Sequence, residues 1–198
     1  MKPFWTRAAS YAGLDLDRSQ SDLLQRYAEW LATEGESAGG IGPSEIERID
    51  RRHLADSLLF ATVLPANCEE VWDLGSGVGL PGIPLAIAQP GTRFTLIDRS
   101  GRRVDLMRRA IRVLGLQNCR ALEGDIRKLE GPVDTIVSRA SIPPGELGRI
   151  VTRLLHPEGV AVAAGSWLER PEVEGWETVE IPEDVLDQTV WLLMMRRE

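Results

Sequence analysis

The sequence predicts an α/β fold: a mainly parallel seven-stranded sheet that ends in an antiparallel hairpin, preceded by a helical segment over residues 1–65. Three observations predict it. From Glu70 onward short β-rich runs alternate with helical stretches, the pattern of successive βαβ units. A glycine-rich turn follows the first of those runs directly. The last two runs are joined by a loop too short for a crossover helix, so they must pair antiparallel.

In chain order, Leu23, Leu24, Tyr27, Trp30 and Leu31 recur at helical spacing, with Ser19 and Ser21 as candidate caps. The stretch from Gly35 to Gly42 reads as a linker. Beyond it, Ser44 and Glu47 have capping-box spacing ahead of Ile46, Ile49, His53, Leu54, Leu58 and Ala61, which fall on one helical face. Strands are expected near 71–74, 94–98, 120–123, 135–138, 160–164, 176–181 and 189–195. A helix from about Arg102 to Leu114 turns Val104, Met107, Ile111 and Leu114 inward and stops at Gly115. Residues 66–198 form a single compact unit in this reading. A mainly parallel sheet closed by an antiparallel hairpin is the Rossmann-like arrangement typical of class I methyltransferases.

Composition bounds the function. With a formal net charge of −7, the molecule as a whole is not drawn to nucleic acid, so any such contact needs a local basic patch. Cys68 and Cys119 stand apart with no ligand spacing, which predicts no disulfide framework and no metal site. No run approaches the roughly 20 apolar residues of a membrane span, and the N-terminus lacks a signal-like apolar core. A soluble protein of the reducing cytoplasm, working as a monomer, is the expectation.

The densest chemistry lies in Glu70–Pro84, where Asp73 ends a strand and Gly75, Gly77 and Gly79 follow at alternate positions. Glycines there let the backbone turn sharply and approach a ligand. Gly77, Gly79 and Gly82 also spell the GxGxxG dinucleotide pattern, so the loop alone does not name the ligand. Asp73 favours S-adenosylmethionine, because a carboxylate suits its cationic methionine end and would repel a pyrophosphate. Asp98, at the next strand end, is placed to accept hydrogen bonds from both hydroxyls of a ribose. Asp125 and Ile126 follow the third strand, where a carboxylate and a neighbouring backbone amide can hold adenine. Three acidic residues at three successive strand ends match the position of ligands in open α/β sheets. An NAD-type oxidoreductase and a non-catalytic nucleotide-binding module remain open on these residues.

The segments DLGSGVGLPGIPLAIAQP and FTLIDRSGRRVDLMRRAIRVLGL, with Val137-Ser138-Arg139-Ala140 and the upstream Arg52-His53-Leu54-Ala55-Asp56-Ser57-Leu58, resemble the GidB/RsmG family of small-subunit ribosomal RNA guanine-N7 methyltransferases. Leu80-Pro81-Gly82-Ile83-Pro84 is its most specific part. The resemblance implies that Gly75, Leu80, Ile126 and Arg139 line the cofactor site, that Asp98 holds the ribose, and that the partner is small-subunit ribosomal RNA or the assembled subunit. The chain departs from the family's pattern at Glu36–Pro43, in place of an Asn-Leu-Thr tract, and at Ala163-Ala164-Gly165, in place of Lys-Gly. A related methyltransferase acting on another acceptor is the alternative within this class.

Methyl transfer to guanine N7 uses a lone pair that carries no proton, so a general base is not required. His53 is accordingly read as a packed histidine. Arg139 is the candidate to orient acceptor or cofactor. Arg51, Arg52, Arg99, Arg102 and Arg103 are the candidates for phosphate contacts, since guanidinium pairs well with phosphate oxygens. The six tryptophans are read as packing residues.

Overall fold

The computed structural model describes residues 3–167 and 169–197. Its seven strands are β1 (Glu70–Leu74), β2 (Arg93–Asp98), β3 (Cys119–Glu123), β4 (Val133–Arg139), β5 (Leu155–Ala164), β6 (Glu177–Ile181) and β7 (Val190–Arg196). They form one sheet in the order β3-β2-β1-β4-β5-β7-β6. The first five are parallel to one another, and β7 runs antiparallel to both β5 and β6. All seven expected strands are present. Both faces of the sheet are covered, so a strand such as β2 is buried at every position after Arg93. Chain order reverses between β1 and β4, and ligands bind outside the carboxyl ends of strands at such a point.

The helices are α1 (Phe4–Tyr11), α2 (Arg18–Trp30), α3 (Asp56–Leu58), α4 (Gly82–Ala88), α5 (Gly101–Leu114), α6 (Pro144–Leu154) and α7 (Glu183–Leu186). α5 stops where expected, at Gly115, whose φ of 72° closes the helix in the left-handed conformation. α2 is capped differently from the expectation. Asp17, not Ser19 or Ser21, receives the Gln20 amide, and the Gln20 side chain accepts from the Asp17 amide to complete a capping box. α1 starts on a distant cap, its Phe4 and Trp5 amides donating to the Asp50 carboxylate at 3.0 and 3.2 Å.

The segment beyond the glycine linker is not one regular helix. Pro43–Arg48 is a 3₁₀ turn with no side-chain cap from Ser44, Ile49–Ala55 winds as a π-helix, and α3 leads into a further 3₁₀ turn at Leu59–Thr62. The inward apolar set, Ile49, Leu54, Leu58, Leu59 and Phe60, is still buried. The physical reason lies in tertiary contacts: Asp50 is held by α1 and the Arg52 carbonyl by Arg139, which override the regular ladder.

The sheet is covered on both faces. α1, α2, the 49–62 segment, α4 and α5 share one apolar cluster with Val71, Leu96, Val137, Val160 and Leu192. On the other face Leu147, Ile150, Val151 and Leu154 of α6 pack on Leu74, Ile97, Ile136, Ala161 and Leu193. Among the described residues no helix is long and apolar enough to cross a membrane.

Candidate active site

The glycine loop is built by its neighbours. The Gly75 and Ser76 amides donate to the Ile97 carbonyl at 2.8 and 3.2 Å, folding the chain back over the end of β2. Gly75 has a φ of 72° and sits so close to Ser141 that a methyl group would strike that hydroxyl. Gly77, with a φ of 65°, has nothing within 4 Å of the place a side chain would take, so the space beside it is open.

Asp73 is fully buried beneath this loop and turned away from solvent. Its Oδ2 accepts from Ser76 Oγ at 2.5 Å and from the Gly82 amide at 2.9 Å, tying together the start of the loop and the start of α4. Burial raises its carboxyl to about 6, against the pull of those two donors and the charge of Arg139. The structure therefore gives Asp73 a place under the loop, where it shapes the site without lining it.

A cleft of about 470 Å³ opens over the carboxyl ends of β1 and β2 and brings Gly75, Asp98, Asp125 and Ile126 together. Asp98 is almost wholly buried. One oxygen accepts from the Gly77 amide at 3.1 Å and the other from the Ser100 amide at 2.9 Å, so the carboxylate is preset at the strand end. Asp125 accepts from the Arg127 amide at 3.0 Å and opens the 3₁₀ turn that presents Ile126. A preset buried carboxylate beside an apolar side chain is a pairing that can take a polar ligand with a flat ring. Gly77, Gly79, Leu80 and Arg139 are not among the residues lining this cleft, although the Gly77 amide touches it through its hydrogen bond to Asp98.

A second cleft, about 700 Å³, lies beside the first and meets it at Ala140, which lines both. Ala140 follows β4 with a φ of 53°, the left-handed turn that carries the chain from one cleft to the other. Arg52, His53, Asp56, Arg139, Trp167 and Trp191 contribute to the wall of this second cleft. Arg139 donates to the Arg52 carbonyl at 2.8 Å and to His53 Nδ1 at 3.1 Å. Burial, with the charges of Arg139 and Arg52, lowers His53 to about 4, which keeps it neutral near pH 7. Asp56 is raised to about 6 by burial, held back by Arg139 and by Arg52.

Trp5, Trp30 and Trp176 are packed inside as the sequence suggested. Trp72 and Trp167 also pack against the second apolar cluster, but Trp167 and Trp191 in addition line the second cleft, which the reading of all six as packing residues did not include. Their signal was the position of each beside a strand end, Trp167 just past β5 and Trp191 at the start of β7.

The candidate phosphate-binding arginines do not form one patch. Arg51 donates to the Asp187 carbonyl and to Gln188 Oε1 at 3.1 and 3.2 Å and lies over the Phe4 ring, so it clamps the β6–β7 connection to the N-terminal segment. Arg52 lines the second cleft, Arg99 and Arg103 line the first, and Arg102 is exposed on α5. Among the described residues no group of three His, Cys, Asp or Glu side chains is arranged to hold a metal ion.

Comparison with known proteins agrees with this architecture. The chain is 40% identical over 146 residues to ribosomal RNA small subunit methyltransferase G of Mycobacterium marinum, a match covering 72% of this chain and 64% of that protein. It is 36% identical over 180 residues to the protein of the same name from Chlorobium luteolum, covering 87% and 76%. The chain thus spans less than two thirds of the length of the Mycobacterium relative. A crystal structure of a SAM-dependent methyltransferase from Aquifex aeolicus superposes with a TM-score of 0.56 at 16% identity, over 80% of this chain and all of that one, which shows the shared fold. Residues 20–192 match the family model described as rRNA small subunit methyltransferase G, and this chain belongs to that family, GidB.

Proposed function

We propose that the chain transfers a methyl group from S-adenosylmethionine to N7 of a guanine in small-subunit ribosomal RNA, acting as a monomer in the cytoplasm. The observation that carries this reading is the meeting of two clefts at Ala140, one shaped for a nucleoside and one for a second molecule. Asp98 would hold the ribose, Asp125 and Ile126 the adenine, and Gly75 and Gly77 would let the backbone approach the ligand. Bound there, S-adenosylmethionine supplies an electrophilic methyl on a sulfonium.

The protein's share is orientation and exclusion of water, effects worth roughly 7 to 11 kcal/mol when reacting atoms are well aligned. Guanine N7 has no proton to lose, and His53, neutral and already accepting from Arg139, is not needed as a base. Arg139 steadies the wall of the acceptor cleft next to the junction. Arg52, Arg99, Arg102 and Arg103 supply local positive charge on an acidic molecule, as binding to RNA requires.

The test is transfer of labelled methyl to naked small-subunit RNA and to assembled subunits, followed by nucleoside analysis, with S-adenosylhomocysteine and NAD titrated in parallel. Label recovered as 7-methylguanosine and binding of S-adenosylhomocysteine are expected. Binding of NAD with none of S-adenosylhomocysteine would replace the reading with an oxidoreductase.

A further inference from the structure

Building on the methyltransferase reading, we propose that Asp56 selects guanine as the acceptor: its carboxylate accepts the N1–H and N2–H of the base in the second cleft, while Trp167 offers the ring on which the base stacks.

Asp56 lines that cleft, and its Oδ1 is buried without a hydrogen-bond partner. An orphaned carboxylate oxygen is costly, and one at the edge of a cleft is explained most simply by a donor that arrives with the ligand. Burial raises the Asp56 carboxyl to about 6 and Arg139, on the same wall, holds it from rising further, so near pH 7 it is mostly ionised and an acceptor only. The chemistry then names the base. Guanine places two adjacent donors on its Watson–Crick edge. Adenine has an acceptor at N1 and cytosine one at N3, both repelled by a carboxylate, and uracil's single N3–H lies between two carbonyl oxygens.

Placement agrees with chemistry. N7 lies on the edge of the purine away from N1 and N2, so when N7 points to the cofactor the reading group must stand on the side away from it. Asp56 lines the second cleft and is not among the residues lining the first. Trp167 stands just past β5, and its indole is laid across Gly165, where a methyl group would approach the ring to 2.8 Å. An aromatic face beside an edge-reading polar group is the usual means of recognising a base held out of its stack.

The probes are guanosine and inosine monophosphate, which differ only in the N2 amino group, titrated by saturation-transfer NMR into the protein with S-adenosylhomocysteine bound. The native chain should prefer the guanosine nucleotide by about tenfold, the scale of one charge-assisted hydrogen bond. Asp56→Asn should bind both at the weaker level, with unchanged affinity for S-adenosylhomocysteine and no loss of melting temperature, since the Asp56 carboxyl, like that of Asp73, is held above its unfolded value. Trp167→Ala should weaken both nucleotides alike, and Trp167→Phe should restore them. A preference that survives in Asp56→Asn, or a native chain that does not distinguish the two nucleotides, overturns selection by Asp56 while cofactor binding stands. A native chain that fails to bind S-adenosylhomocysteine overturns the methyltransferase reading and this inference with it.

Discussion

Arg139, the last residue of β4, donates a 3.1 Å hydrogen bond to Nδ1 of His53, which lies 86 positions earlier in the chain. Nδ1 is thereby an acceptor, so the imidazole proton sits on Nε2, which faces Glu45 Oε2 at 3.5 Å. The same guanidinium holds the Arg52 carbonyl at 2.8 Å. One side chain therefore joins the carboxyl end of the sheet to the irregular helical segment that walls the second cleft.

Removing that side chain has two consequences. Arg139→Ala should lower stability by about 1.5 to 3 kcal/mol, the range for hydrogen bonds to a charged group, and leave the Asp56 charge without its nearest counterweight. Methyl transfer should fall on the order of a hundredfold, the scale of losing one oriented charged contact. Arg139→Lys keeps the charge but not the planar fork, and should be intermediate in both. Thermal melting and single-turnover transfer measure the two effects separately, and a melting temperature and rate both equal to the native values would remove Arg139 from this role.

Two buried groups give the stability opposite dependences on pH. Asp73 is held at about 6, above its unfolded value of 3.8, so its favourable contribution is complete below pH 3.8 and is lost as the pH rises through 6. His53 is held at about 4, below its unfolded value of 6.5, so its contribution is complete above 6.5 and is lost as the pH falls through 4. Relative to the native chain, Asp73→Asn should gain melting temperature between pH 4 and 7, and His53→Asn should lose it over the same interval. Parallel slopes for the native chain and either variant would contradict the corresponding assignment.

The sheet was readable from sequence because its central strands are rich in apolar and β-branched or aromatic residues and are followed by glycine or acidic residues, as at Val71–Leu74 and Phe94–Asp98. That Asp98, Asp125 and Ile126 lie together was readable because each stands at or just past a strand end on the same side of the sheet. The segment from Pro43 to Thr62 was not, since a 3.6-residue apolar pattern carries no sign of the π turns that Arg139 and Asp50 stabilise from a distance. The second cleft was equally hidden. Its wall is assembled from Asp56, Arg139, Trp167 and Trp191, four residues on separate segments whose approach only the fold reveals.

At the cofactor cleft, Asp98→Asn keeps the shape of the side chain and removes its charge. Two charge-assisted bonds to ribose would weaken, and the Gly77 and Ser100 amides would compete for the one remaining oxygen. Affinity for S-adenosylhomocysteine should fall at least tenfold by calorimetry, given about 1.5 kcal/mol or more for each such bond. An unchanged affinity would place the ribose elsewhere.

The two glycines of the loop separate protein strain from ligand exclusion. Alanine at either position must adopt a left-handed φ, worth about 1 kcal/mol. At Gly75 the added methyl also meets Ser141, whereas at Gly77 it enters open space. Gly75→Ala should therefore lower the melting temperature more than Gly77→Ala. Gly77→Val should keep the fold and lose S-adenosylhomocysteine, because the space it fills belongs to the ligand rather than to the protein. Retained affinity in Gly77→Val would show that the ligand does not use that space.

The arginines divide in the same way between holding the fold and, in the proposed function, meeting RNA. Arg51 already donates to Asp187 and Gln188 and lies over Phe4, so Arg51→Ala should reduce thermal stability by about 1 kcal/mol and leave the salt dependence of RNA binding nearly as it was. Arg102 has no such partners among the described residues and is exposed on α5. Arg102→Ala should leave the melting temperature alone and reduce the slope of log affinity against log salt by about 1, the signature of one lost phosphate contact. Measuring both slopes on small-subunit RNA checks the division, because a protein that bound RNA with Arg51 would have to break the clamp between its N-terminal helix and the β6–β7 connection, and would then lose slope in Arg51→Ala and keep it in Arg102→Ala.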